Sequence, residues 1–165
     1  MLLKNGPVVF TVPPIDFKRK FEAVSCYLLY REYILFLKRS DEDDSEPGKL
    51  GVPTGKRRSY EVDIDTGVRE VKEETGIDLS KHKNRFIFSN QFYMRYEKFD
   101  FSCRTYVMHL LEKPTIVLSS EHQAYDWYKL GHVLCPTRTD VLVKGLKEVL
   151  ICEERLVHEI ISKAA

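Results

Sequence analysis

Charge of one sign, long apolar runs and cysteine motifs are all missing from this chain. The 26 Lys plus Arg nearly balance the 25 Asp plus Glu, and a net charge of +1 gives no broad field to hold a nucleic-acid backbone. Stable nucleic-acid binding is therefore not expected, and an anionic ligand has to be held locally, by a site. No stretch approaches the roughly 20 apolar residues that span a bilayer. The opening MLLKNGPVVFTVPP is broken by Asn, Gly and Pro where a secretory leader needs an apolar run. No membrane association is expected. Cys26, Cys103, Cys135 and Cys152 are scattered, with no C-x-x-C pair to suggest zinc or redox chemistry. Reduced thiols in the cytoplasm are the natural expectation. Gly-x-Ser-x-Gly is absent, which sets aside the usual Ser and Cys nucleophiles.

What is present suits one compact domain over residues 1–165, since 43% apolar and 12% aromatic content can bury a sizeable core. Phe21 to Arg39 reads as two β-rich runs around Arg31-Glu32, a hairpin or two adjacent strands. Ser40 to Lys49, SDEDDSEPGK, has too few apolar groups to pack and reads as a solvated loop with surface acids. Gly51 to Gly55 (GVPTG) forms a tight entry to a helix over Glu61 to Thr75, which Gly76 stops. Strands are expected at Arg85 to Tyr93, Phe99 to Leu111 and Tyr125 to Leu130. From Thr139 onward, Leu142, Leu146, Val149, Leu150, Leu156, Val157, Ile160 and Ile161 recur at helical spacing and predict a terminal amphipathic helix, with room for one break. The sum is an α/β protein, a mixed sheet flanked by helices.

On the first helix, Glu70, Glu73 and Glu74 fall within a sector of about 100°. Ile64, Val68 and Val71 occupy a separate apolar sector, so the helix can pack on a sheet and present its acids to a cleft. Carboxylates this close repel one another unless a cation compensates them. Hard oxygen ligands at this density suit Mg²⁺ or Mn²⁺, which in turn suit phosphate substrates. Arg69, one turn before Glu73, is placed to bridge it. An E-x-x-E-E triplet alone is more often a solvated face than a site. The longer pattern is Gly55, five residues, Glu61, seven residues, Arg69-Glu70-Val71, one residue, Glu73-Glu74, one residue, Gly76-Ile77. At average frequencies of roughly 5 to 8% per residue type, seven such fixed positions match by chance about once in 10⁸ starts.

That pattern resembles the complete box of the Nudix (MutT-like) hydrolases, and the strands and terminal helix around it resemble the family too. The resemblance implies an α/β/α sandwich, a mixed sheet between helices with a loop-helix-loop catalytic box. It implies an enzyme that cleaves a phosphoanhydride bond of a nucleoside diphosphate linked to another group, such as a sugar nucleotide, a dinucleoside polyphosphate or a nucleoside triphosphate. Gly67 stands where relatives often carry Ala. It implies close helix-to-sheet contact, at a cost of roughly 1 kcal/mol of helix propensity.

By the same resemblance Glu70 and Glu74 are metal ligands and Glu73 a direct or water-mediated one, with a backbone carbonyl near Thr54 or Gly55 completing the set. Glu61 pairs with Arg69 and orients the cluster, and Gly76 supports it. The general base comes either from the box or from a later loop, where Glu121 is the candidate, as base or as an extra metal ligand. A plain loop acid is its bland reading. Lys56, Arg57 and Arg58 are candidates for substrate phosphates, against a solvated basic loop. His122 reads as a hydrogen-bonded loop residue and Trp127 as core. Some of Phe92, Tyr93, Tyr96 and Phe99 line a nucleobase pocket or, as aromatics on strands usually do, fill the core. The ligand is a small-molecule nucleotide, and a homodimer is left open. A catalytically silent nucleotide-binding module would usually have lost box glutamates, which this chain keeps. An isomerase of the isopentenyl diphosphate type needs flanking Cys and His motifs that are absent.

Overall fold

The computed structural model describes residues 7–96, 98–135 and 141–164. Eight strands form one mixed sheet: β1 Val8–Phe10, β2 Arg19–Tyr30, β3 Tyr33–Arg39, β4 Leu50–Gly51, β5 Thr54–Lys56, β6 Ile87–Arg95, β7 Asp100–Leu110 and β8 His122–Lys129. Three helices accompany them: α1 Asp63–Thr75, α2 Leu130–Val133 and α3 Leu146–Ala164. The order is β1-β6-β7-β2-β3-β4, with β5 added to β2 and β8 to β3. The central pair β2 and β7 is parallel, and the other ladders are antiparallel.

β2 and β3 are apolar on both faces because both faces are covered. Their residues alternate between two cores, as the two-residue period of a strand requires. Ala23, Tyr27, Leu29, Ile34 and Phe36 join the cluster that holds Val149, Leu150, Val157 and Ile160 of α3. Val24, Cys26, Leu28, Leu35 and Leu37 join the one that holds Val71 of α1. This is the expected α/β/α sandwich. Each fully buried aliphatic side chain stabilises it by roughly 1.5–3 kcal/mol. Gly67 brings α1 against β2, and a Cβ there would lie 2.8 Å from Cys26 Sγ. No helix among the described residues is long and apolar enough to cross a membrane.

The departures from the sequence reading have local causes. α1 starts at Asp63, two residues after the expected Glu61, because the Glu61 carboxylate is engaged by the turn that leads in: it accepts from Arg58 N–H at 3.1 Å and Thr66 Oγ1 at 2.8 Å. The expected start of the last helix, Thr139, lies outside the described residues. α3 begins only at Leu146 and runs unbroken to Ala164, because Gly145 is left-handed (φ 85°) and Leu142 bridges Leu50 at the sheet edge. β8 starts earlier than expected, at His122, and Leu130 passes to α2. Arg85 ends a short 3₁₀ segment instead of opening β6.

One feature of the sheet positions the site. β2 and β3 pair only at Leu29↔Ile34 and Tyr30↔Tyr33, then part. β5 takes the open edge of β2 at Ala23 to Ser25, while β4 and β8 take β3. GVPTG carries the chain across the resulting wedge, from β4 to β5.

Candidate active site

The box wraps one cation. Arg69 donates from Nε to Glu61 Oε1 at 2.7 Å and from Nη2 to Glu61 Oε2 at 3.1 Å and the Lys56 carbonyl at 3.0 Å. Its Nη1 reaches Glu70 Oε1 at 2.5 Å and Glu73 Oε2 at 3.0 Å. One guanidinium therefore ties the lead-in loop, the pre-helical turn and two turns of α1. The Arg69 hydrogen bond, helped by those from Arg58 N–H and Thr66, holds the Glu61 carboxyl down at about 2. Gly55 leaves room for the Glu70 carboxyl: a Cβ there would stand 1.8 Å from its carboxyl carbon and displace it. Gly76 (φ 74°) ends α1, its N–H donating to the Lys72 carbonyl, in the left-handed conformation that favours glycine.

The three helical acids do not share one environment, contrary to the simple wheel. Glu73 is half exposed, between Arg69 and Arg58. Glu74 is only 5% exposed. Thr54 N–H bonds its carboxylate, but its Oε2 is buried with no hydrogen-bond partner among the described residues. Burial first, then the negative charges of Glu70 and Glu121, pushes its carboxyl well above the usual range. Burial likewise raises Glu70, against the pull of Arg69. Glu121, exposed at the head of β8, adds repulsion at both. The fold thus gathers Glu70, Glu74 and Glu121 into one field and turns Glu73 outward. Among the described residues no three Asp, Glu, His or Cys side chains converge into a ready-made metal cage, because Glu70 is drawn to Arg69. The orphaned Glu74 oxygen, the gathered negative charge and the all-oxygen donor set nevertheless fit a hard divalent cation.

The basic run divides. Arg57 bonds Glu22 and the Glu61 carbonyl and approaches Asp63 Oδ1 at 3.4 Å. Lys56 Nζ sits over the Phe21 ring at 4.5 Å. Arg58, half exposed, reaches Glu73 Oε1 at 3.6 Å.

A cavity of about 210 Å³ opens beside Glu74 and Glu121. It reaches through the β2–β3 wedge, since its walls include Tyr27 of β2 and Leu146 and Val149 of the α3-side core. Met94, Tyr96 and Phe101 line it too. Of the aromatics singled out by sequence, Tyr96 is therefore at the cavity, while Phe92 is wholly buried core. His122 also lines the cavity. It opens β8 with its main-chain N–H donating to the Ser119 carbonyl at 3.2 Å, while its Nδ1 is buried without a partner among the described residues and burial lowers its pKa. Trp127 packs on the α1-side core, as expected.

Sequence reasoning missed Arg39, Asp43 and Glu46, all on the cavity wall. The acidic loop is not simply solvated. Asp43 Oδ1 accepts from Ser45 N–H, Ser45 Oγ and Glu46 N–H, and Arg39 Nη1 meets both its oxygens at 3.1 Å. Glu46 in turn accepts from Lys144 N–H. A loop poor in apolar groups is ordered here by an Asx-type turn, for which the D-x-S-E spacing was the only available signal.

Comparison with known proteins gives this architecture its family. A family model described as the NUDIX domain matches residues 19–148, and the chain belongs to that family. In class it is a Nudix hydrolase, an enzyme acting on acid anhydrides. Among solved structures, the MutT protein from Methanosarcina mazei Go1 is 20% identical with a TM-score of 0.68, over 86% of this chain and 97% of that one. The Ap4A hydrolase of C. elegans is 17% identical with a TM-score of 0.65, over 84% and 98%. A bifunctional NMN adenylyltransferase/ADP ribose pyrophosphatase from Francisella tularensis, solved with AMP and a Mn ion, is 14% identical with a TM-score of 0.68, over 86% of this chain and 43% of that one. Comparison with curated protein sequences finds no match.

Proposed function

We propose that this enzyme cleaves a phosphoanhydride bond in a nucleoside diphosphate linked to another group, with Mg²⁺ or Mn²⁺ as cofactor. The observation that carries the reading is the buried, half-partnered Glu74 carboxylate, which lines a cavity of mixed polar and apolar walls with Glu121 and shares its negative field with Glu70. Neighbours in fold support it by what they are: an Ap4A hydrolase, an ADP ribose pyrophosphatase and a dihydroneopterin triphosphate pyrophosphohydrolase. The reading takes residues 1–165 as one cytoplasmic domain acting on a small-molecule nucleotide, alone or as a homodimer.

Glu70 and Glu74 would hold the cation, with the carbonyl of Thr54 or Gly55 alongside, and Glu73, turned toward Arg69 and Arg58, would act through water. When bound, the cation neutralises diphosphate oxygens and makes a water acidic enough to act as nucleophile. Arg69 and Glu61 keep the box carboxylates in one arrangement. Arg58, with Lys56 at the end of β5 and Arg57 after it, meets the outer phosphate oxygens. The cavity takes the base of the nucleoside, and Glu121 accepts the proton of the attacking water. A silent binding module is the lesser reading, since every box carboxylate is kept.

The test is kcat of the parent and of Glu121→Gln across a Mg²⁺ titration, on the best substrate from a nucleotide panel read by product identity. Loss of general-base help lowers kcat by roughly 10² to 10⁴ at every Mg²⁺ concentration, with KM little changed. Partial recovery at high Mg²⁺ makes Glu121 a ligand instead. Full turnover by the parent in excess EDTA sinks the mechanism.

A further inference from the structure

The inner wall of the cavity holds a group that the proposed chemistry does not use. Tyr27 is fully buried in the middle of β2, it lines the cavity, and its phenolic oxygen has no hydrogen-bond partner among the described residues. A buried hydroxyl left unpaired is destabilising, and a Phe of the same shape would avoid that cost.

The polar groups on this wall and behind it pair with one another. Ser25 Oγ pairs with Thr54 Oγ1 at 2.8 Å and Cys103 Sγ at 3.3 Å. Glu153, projecting from α3 and itself buried, has one carboxyl oxygen on Thr105 Oγ1 at 2.5 Å and the other on Ser89 Oγ. Thr105 Oγ1 is further occupied by Asn90. None of these groups accepts a hydrogen bond from Tyr27. Burial, with the nearby Glu153 charge second, keeps its proton on far above the usual tyrosine range. Around it the walls are the apolar faces of Met94, Phe101 and Val149. A cavity of about 210 Å³ is smaller than the roughly 300–1,000 Å³ of ordinary small-molecule sites, so it suits one ring system better than a whole nucleotide.

We propose that Tyr27 is a specificity-determining residue: its phenolic O–H donates to a ring nitrogen or ring carbonyl on the inward edge of the substrate's planar heterocycle, held between the apolar walls while the phosphates stay outside at Glu70, Glu74 and Glu121. This rests on the nucleotide reading above and assigns the recognition of its base. A heterocycle without an acceptor at that edge leaves the hydroxyl unpaired and is rejected, since sites built to hydrogen-bond a substrate discriminate strongly against analogues that lack the group.

The experiment compares the parent with Tyr27→Phe by titration calorimetry against AMP, GMP, IMP, CMP, UMP and the base-free control ribose 5-phosphate, and records the melting temperature of each protein without ligand. The tightest-binding mononucleotide should lose roughly five- to thirtyfold in affinity, the worth of one hydrogen bond. Ribose 5-phosphate should be unchanged, and the ligand-free variant should melt no lower than the parent. Unchanged mononucleotide affinities, or a lower melting temperature that reveals a structural partner for the hydroxyl, overturn the assignment while leaving the nucleotide reading intact. A parent that binds none of the five mononucleotides better than ribose 5-phosphate overturns the reading itself, and the assignment with it.

Discussion

The rim of the site and its inner wall handle polar groups in opposite ways. At the rim the charges of the box are heavily partnered: Glu61 receives four hydrogen bonds, and Arg69 touches Glu61, Glu70, Glu73 and the Lys56 carbonyl. On the wall, Glu74 Oε2, Tyr27 Oη and His122 Nδ1 are buried without partners among the described residues. Proteins rarely leave buried polar atoms unsatisfied. Of the six such side-chain atoms among the described residues, three belong to residues that line this one cavity, and His109 Nε2, Ser119 Oγ and Trp127 Nε1 do not.

Mutations at each end can break this contrast. The largest effect is expected at Glu74. Glu74→Gln should lower kcat by at least about 10²-fold while the melting temperature holds or rises, because a carboxamide avoids the cost of burying a charge. A fall in both together would make Glu74 structural and erase the distinction. Arg69→Ala should cost about 2–3 kcal/mol of stability at neutral pH, by stranding the Glu61 carboxylate in a poorly exposed turn, and should reduce activity as Glu70 and Glu73 lose their common anchor. The Glu61 carboxyl is depressed from 4.5 to about 2 in the folded parent. Its contribution is therefore complete above about 4.5 and fades as pH falls through about 2. Chemical denaturation of the pair should show the stability gap narrowing across that window, and a gap constant down to pH 2 would take Glu61 out of the account. The smallest effect is expected at Gly67. Alanine there gains roughly 1 kcal/mol of helix propensity and loses about 1–3 kcal/mol to overpacking against Cys26, a small net loss. Pairing it with Cys26→Ala should recover stability relative to Gly67→Ala alone. A single variant more stable than the parent would show that α1 can retreat from the sheet freely.

Much of the site was legible in the sequence because it is local. Gly55 to Ile77 is continuous, and its contacts are fixed by helical spacing and one long cation. The sandwich was legible from strand and helix periodicity and from the family resemblance. What escaped depends on contacts between distant segments. The burial that separates Glu74 from Glu73 comes from the wedge between β2 and β3, and no helical wheel contains that wedge. The cavity draws on β2, the acidic loop, β6, β7 and α3, so Tyr27 and Thr105 read simply as strand residues until those elements meet. Asp43 looked like a surface acid because the turn it organises is held by its own side chain and not by apolar packing.

The parallel pairing of β2 with β7 sets the order in which the protein can assemble. Each rung joins residues about 80 positions apart, as with Cys26↔Tyr106 and Tyr30↔Leu110. A chain emerging from the ribosome therefore carries its most apolar strand for a long interval before the partner exists, and loop closure of that length must precede the contacts that repay it. The box helix is complete long before the sheet that buries Glu74. Its acids meet a complete cavity only once the segment through Val149 of α3 has left the exit tunnel, so catalytic competence is among the last properties the nascent chain acquires.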